Sequence, residues 1–145
     1  MKMLSVLIAA GVSIGGYHLI SQHHTASVRR QVLADSDVNG FLQVPSPSNQ
    51  NADTIYVVAA QNCPHEAAQR ADQLAKKLSA KGLPVSRISQ VSFNPSGIDS
   101  ATLDRLKVVM NSPLPLVFVR GRAASNPDAD QVASEFGRPE ISASN

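Results

Sequence analysis

The segment between residues 54 and 82 restricts the fold of this chain more than any other. Residues 55–59 form a short, continuous apolar run rich in β-branched side chains, which is typical of a buried strand. The only cysteine, Cys63, comes shortly afterwards and is followed directly by Pro64. Apolar residues then recur at helical spacing until Gly82, which supplies a C-terminal stop. The pattern predicts a strand, a tight turn and a helix whose first residue is Pro64.

The position of Cys63 makes it a candidate nucleophile. At a helix N-terminus, unpaired N–H groups and the helix dipole favour the thiolate over the thiol. The alternative is a small apolar residue retained at a helix start. Glu66 stands where a C-x-x-C pair has its second cysteine, so a thiol from another molecule would have to complete any disulfide exchange. With a single cysteine there is no intrachain disulfide and no C-x-x-C zinc signature, and we expect no metal site.

Composition argues against nucleic acid as a partner. The formal net charge of the 145 residues is only +2, tryptophan is absent, and aromatic residues make up 4% of the chain. A phosphate-binding surface and a set of base-stacking side chains are therefore both missing. The basic residues that follow Cys63 are expected on a solvated helix face: Arg70, Lys76, Lys77 and Lys81.

The N-terminal segment, residues 1–24, is different in kind. Its run 3–20 is almost wholly apolar, and about 18 helical residues reach about 27 Å, close to the hydrocarbon core of about 30 Å. It is either a signal peptide or a signal anchor. No small-x-small cleavage site follows, which favours an uncleaved anchor that binds the membrane through residues 3–20. Gly11 and Gly15 form a G-x-x-x-G pattern that could pair two such helices in a homodimer, although small residues are common in any membrane segment.

The orientation in the membrane is set by competing charges. Lys2 argues for a cytoplasmic N-terminus, whereas Arg29 and Arg30 argue for the reverse. We favour export, which would make the domain periplasmic or extracytoplasmic. Residues 25–53 are predicted to be a helix extension and a flexible linker; residues 40–44 could pair as a short edge strand, but Pro45 ends that possibility.

The globular domain is predicted to span residues 54–138, followed by a disordered tail at 139–145. After the first strand and helix come a strand within 84–91, a helix capped by Asp99 or Ser100, and a strand at 116–119. A tight turn at Arg120 and Gly121 leads to a short antiparallel strand and a last helix capped by Asn126. The second helix is expected to bury Leu103, Leu106, Val109 and Met110. The order is β-α-β-α-β-β-α, an α/β fold with its first two strands parallel.

Three features together resemble the glutaredoxins, the small branch of the thioredoxin-fold superfamily. They are the strand leading into Cys63-Pro64 at a helix start, the Leu114-Pro115 step before a buried strand, and the hairpin before a capped last helix. The resemblance implies a three-layer sandwich and a cis-proline at Pro115 beside the cysteine. The motif Cys-Pro-His-Glu also resembles the C-P-H-C motif of periplasmic disulfide oxidases, with Glu66 in the place of its last cysteine.

The resemblance also implies roles for individual residues. Cys63 would be the nucleophile, and a protonated His65 would favour its thiolate. Pro64 and Pro115 would line the binding site, and Leu114 would offer its backbone to an extended peptide or to glutathione. The γ-glutamyl end of glutathione would dock on Asn126 and Asp128. No cofactor is bound in such a reaction, and glutathione would be a co-substrate.

Two functions from different classes follow. The first is a membrane-anchored thiol oxidoreductase in which Cys63 exchanges disulfides with a protein thiol or disulfide. The second is a non-enzymatic thioredoxin-fold module that binds an extended segment of a partner in an envelope or secretion assembly. The intact Cys63-Pro64 step favours the first, and the missing second cysteine favours the second.

Overall fold

The computed structural model describes residues 27, 29–60 and 65–139. The chain divides into two compact units, residues 1–34 and 35–145. In the first unit, residues 29–34 are helical. The predicted membrane segment, with Gly11 and Gly15, lies outside the described residues, as does the tail from residue 140. None of the helices formed by the described residues has the length and apolar character needed to cross a membrane.

The second unit is a mixed α/β fold with one five-stranded sheet. From residue 54 onward, the predicted order β-α-β-α-β-β-α is confirmed, and one further strand precedes it. The elements are β1 (Leu42–Gln43), β2 (Ile55–Val58), α1 (Glu66–Ala80), β3 (Val85–Ile88), α2 (Ser100–Met110), β4 (Leu116–Val119), β5 (Arg122–Ser125) and α3 (Ala129–Phe136).

The sheet has the spatial order β1-β5-β4-β2-β3. β2 and β3 pair in parallel, as predicted, because α1 returns the chain to the same end of the sheet. β4 runs antiparallel to both β2 and β5, with Leu116 opposite Val58. The β4–β5 turn fits a tight hairpin because Arg120 and Gly121 both have positive φ, 44° and 75°.

The sheet begins inside the segment that we expected to be a flexible linker. Leu42 pairs with Ala123 and Gln43 with Arg122, so β1 forms an antiparallel edge beside β5. Phe41 is only 2% exposed, and Val44 is also buried. The short edge strand considered for residues 40–44 therefore does form, and Pro45 ends it rather than preventing it. Burial of these apolar side chains is what makes the segment part of the domain.

The sheet has helices on both faces. Ile55, Val57, Val117 and Val119 point to one face, where they share a core cluster with buried residues of α1 and α3. The alternate residues of β4, Leu116 and Phe118, point to the other face. There α2 contacts β1 and β5, and Phe93 packs on Phe118 with ring centroids 5.7 Å apart.

Three details of the helices differ from the prediction. α1 begins at Glu66 with His65 as its N-cap, so the helix starts two residues later than expected, and Pro64 lies outside the described residues. In α2, Leu106 and Val109 are buried, but Leu103 and Met110 are exposed because the sheet covers a narrower stripe. The third difference is that α3 is capped by Asp128 rather than by Asn126.

Candidate functional site

The predicted nucleophile and the proline after it, Cys63 and Pro64, lie outside the described residues. The residues on either side of 61–64 are described, and both sides lie against the start of β4. On one side, Val58 at the end of β2 pairs with Leu116. On the other, Arg70 of α1 donates a hydrogen bond from Nη2 to the carbonyl oxygen of Leu114, at 3.0 Å. The end of β2, the beginning of α1 and the beginning of β4 therefore meet at one end of the sheet.

The peptide bond between Leu114 and Pro115 is cis, which confirms the expectation from the resemblance. Pro115 is fully buried, whereas the side chain of Leu114 remains exposed. The structure thus brings the predicted residues Leu114 and Pro115 to the same end of the sheet as His65.

The carbonyl oxygens of three successive residues at this point all accept hydrogen bonds from the rest of the domain. Pro113 accepts from Ser125 Oγ at 2.6 Å, Leu114 from Arg70, and Pro115 from the backbone N–H of Asn126 at 2.7 Å. Because proline has no N–H, Leu114 supplies the only backbone donor of residues 113–115. Among the described residues, no acceptor for this N–H is found.

Arg70 links this segment to the fourth residue of the Cys-Pro-His-Glu motif. Its Nη1 is 2.7 Å from Oε1 of Glu66, one helical turn earlier, and the two side chains are 37% and 85% exposed. Sequence reasoning placed Arg70 on a solvated face and missed this role. The i, i+4 spacing of Glu66 and Arg70 was a visible signal for the ion pair, but the contact with Leu114 depends on tertiary structure.

His65 is held at the start of α1 by hydrogen bonds of its backbone and not of its side chain. As N-cap it has φ −67° and ψ 146°, and its side chain makes no capping hydrogen bond. Its carbonyl oxygen accepts from the N–H groups of Ala68 and Gln69, at 3.0 and 3.2 Å. The imidazole is therefore exposed at the helix start and is not committed to capping.

Asn126 and Asp128 lie in the connection between β5 and α3. Asn126 joins the site through its backbone bond to Pro115, and its φ of 48° turns the chain towards α3. The carboxylate of Asp128 accepts from the N–H groups of Asp130 and Gln131, at 2.9 and 2.8 Å, and the Gln131 side chain completes a capping box. Asp128 is thus already engaged with its own helix.

The described residues place no metal-binding cluster at this site, and the cavity described below lies elsewhere in the domain. Within the described ranges no group of three or more His, Cys, Asp or Glu side chains is placed to hold a metal ion. A cavity of about 190 Å³ lies beside the opposite end of β4, between the loop after β1 and the β4–β5 turn. Its lining includes Pro45, Tyr56 and Arg120 and contains none of the predicted site residues.

Comparison of the chain with models of protein families, with curated proteins and with solved structures finds no match.

Proposed function

We propose that residues 54–138 are a thioredoxin-like domain of the glutaredoxin type that carries out monothiol disulfide exchange through Cys63. The observation that carries the proposal is that both flanks of residues 61–64 lie against the start of β4, through Val58 and Arg70. The parallel β2–β3 pair, the antiparallel β4–β5 hairpin and helices on both faces support the fold. β1 is an addition at the edge of this arrangement.

In the proposed reaction the Sγ thiolate of Cys63 attacks one sulfur of a substrate disulfide. A bond forms between Sγ and that sulfur, the substrate S–S bond breaks, and the second sulfur leaves as a thiolate. A second thiol, from glutathione or from a partner cysteine, then attacks the mixed disulfide and returns Cys63 to its thiolate. No net oxidation of the domain occurs, which suits a chain with one cysteine.

The described residues next to Cys63 favour a thiolate. α1 is 15 residues long, and the positive end of its dipole faces the residues that precede it. Glu66, by itself, would oppose a second negative charge nearby. Its ion pair with Arg70, at 2.7 Å, offsets part of that repulsion.

The proposal is tested by alkylating Cys63 of the full chain over a range of pH. We expect an apparent thiol pKa below the free value of about 8.5, because the helix N-terminus stabilises the thiolate. His65→Gln should raise the apparent pKa, since it removes the only imidazole of the motif. Cys63→Ser must abolish alkylation as a control. A wild-type value near 8.5 would contradict the redox function.

A non-enzymatic binding module is the second candidate, and Glu66 in the place of a second cysteine favours it. Its extended partner segment would pair with the backbone N–H of Leu114, while Arg70 already donates to the carbonyl oxygen of the same residue. If Cys63→Ser leaves the cellular role of the protein intact, only this second candidate survives.

The proposal also includes anchoring of the domain by residues 3–20 on the extracytoplasmic side of a membrane. The apolar length of that run supports the anchor. A reporter enzyme that becomes active only outside the cytoplasm, fused after Arg138, distinguishes the two orientations. Activity of the fusion would show that the domain is exported.

A further inference from the structure

The segment that precedes β4 presents a hydrogen-bond donor and no unoccupied carbonyl. All three carbonyl oxygens of residues 113–115 accept hydrogen bonds from within the domain, and two of the three residues are prolines. The backbone N–H of Leu114 has no acceptor among the described residues. A group that binds to this N–H must bring a hydrogen-bond acceptor.

Arg70 adds a positive charge beside that N–H. Its guanidinium touches the carbonyl group of the same residue, Leu114, and is 37% exposed. Nη1 and Nη2 each carry two hydrogens and make one internal contact apiece, to Glu66 and to Leu114, so these contacts do not use all of the guanidinium donors. Its anionic partner, Glu66, is 85% exposed, and an ion pair so open to water is weak and readily exchanged.

We propose that Arg70 and the N–H of Leu114 bind a carboxylate on the extended segment that reacts with Cys63. This inference rests on the proposed function and names its substrate class as an acidic peptide. A carboxylate has two acceptor oxygens and can meet a guanidinium and a backbone N–H together, in charge-assisted hydrogen bonds. Glu66 occupies the guanidinium when no substrate is present, and so acts as an internal competitor. Arg70 is in this sense a specificity-determining residue and not a catalytic one.

The test uses disulfide tethering to the single cysteine of the full chain. The protein is equilibrated with two isosteric pairs of dipeptides in a 2-mercaptoethanol redox buffer. The first pair is acetyl-Cys-Glu-amide and acetyl-Cys-Gln-amide, and the second is acetyl-Glu-Cys-amide and acetyl-Gln-Cys-amide. Intact mass measures the fraction of Cys63 that carries each peptide. An equilibrium measurement does not require an activated thiol, so it is separate from the alkylation experiment.

In the wild type we expect the Glu peptide of at least one pair to be retained about threefold better than its Gln partner, the size of effect that a partly exposed ion pair gives. Arg70→Gln should bring the ratio to about one, and Arg70→Lys should keep part of it. Glu66→Gln should raise the ratio because the competitor is gone. Lys76→Gln, which removes the same charge from an exposed position of α1, is the matched control and should leave the ratio unchanged.

The outcomes separate the two proposals. Equal retention of Glu and Gln peptides in the wild type, or a ratio that survives Arg70→Gln, overturns the carboxylate site and leaves disulfide exchange standing. A clear Glu preference together with an alkylation pKa near that of a free thiol supports the carboxylate site and contradicts the redox function. Failure of every peptide to form a mixed disulfide contradicts both.

Discussion

The carboxylate of Glu135 in α3 and the guanidinium of Arg122 in β5 form an ion pair, 3.0 Å between Oε1 and Nη1, from which solvent is almost excluded. Glu135 is fully buried, and the side chain of Arg122 is 10% exposed. The other carboxylate oxygen is 3.0 Å from Nη1 of Arg138 and accepts from Nδ2 of Asn39, at 3.2 Å. This carboxylate therefore joins α3, β5 and the segment before β1.

Removing Arg122 should strongly destabilise the domain. Arg122→Ala leaves a buried carboxylate with fewer partners, and breaking such a pair costs about 3–5 kcal/mol of unfolding free energy. Urea denaturation followed by circular dichroism measures the change. The double variant Arg122→Leu with Glu135→Leu should lose less than Arg122→Ala alone, because no unpaired charge stays buried. A single-variant loss below about 1 kcal/mol would contradict a closely coupled pair.

The stability of the domain should fall in acid in part because of Asp37. Partial burial by itself raises the pKa of this carboxyl, but hydrogen bonds from the N–H groups of Phe41 and Asn39, and the nearby Arg138, lower the pKa below the ordinary value of 3.8. Folding then favours the ionised form. The contribution is fully present above the unfolded-state pKa of about 4 and is lost as the pH falls through the lowered folded-state pKa.

The measurement is the free energy of unfolding at a series of pH values from about 2 to 6. Asp37→Asn should make the curve flatter below about pH 4, since the titrating group is gone. Arg138→Gln should move the loss contributed by Asp37 to higher pH, because it removes a cation that lowers the pKa of Asp37. If the unfolding free energy of Asp37→Asn falls with decreasing pH as steeply as that of the wild type, other carboxyl groups are responsible for the loss of stability in acid.

The segment before β1 should be needed for the stability of the domain. Phe41→Ala empties a fully packed position and should cost about 3–5 kcal/mol of unfolding free energy. Val38→Ala is the matched control three residues earlier, where the side chain is 97% exposed, and it should change stability by less than about 0.5 kcal/mol. Equal effects of the two substitutions in urea denaturation would mean that residues 35–44 do behave as a linker.

The carboxylate of Asp128 should contribute to stability whether or not glutathione binds. Asp128→Ala removes the side-chain acceptor for the N–H groups of Asp130 and Gln131 and should cost about 1 kcal/mol. Asp128→Asn should keep most of the stability, since an amide oxygen also caps. If Asp128→Ala leaves the thermal midpoint unchanged but weakens binding of glutathione, the residue has the ligand role that the resemblance implied rather than a capping role.

Much of the secondary structure follows from local signals in the sequence. The β-branched run of β2, the stop of α1 at Gly82, the Asp99 cap of α2, and the turn at Arg120 and Gly121 were all predicted, and the structure has them. Each depends on side chains within a few residues of one another, so the preference for a conformation is contained in the segment itself. The same holds for the end of α3, at Phe136 and Gly137.

Local sequence signals predict only some of the contacts in the candidate site. The sequence pointed to Leu114 and Pro115 and to the helix start beyond Cys63. It did not indicate that Arg70 takes the carbonyl of Leu114, 44 residues away in the chain. Strand pairing in the assembled sheet uses some backbone carbonyl groups and leaves others, such as that of Leu114, without a backbone donor. Which carbonyl groups stay available to a side chain like Arg70 therefore depends on the tertiary structure.

The sequence by itself determined the order of the elements from residue 54, because periodicity, caps and turns act over short distances, and it predicted Leu114 and Pro115 as part of the candidate site. Only the tertiary structure decided that Phe41 and Val44 belong to the core, that Glu135 is a buried charge, and that Arg70 meets Leu114. The physical reason is that burial transfers apolar surface out of water and obliges every enclosed polar group to find a partner, and both conditions are set by residues far apart in the chain.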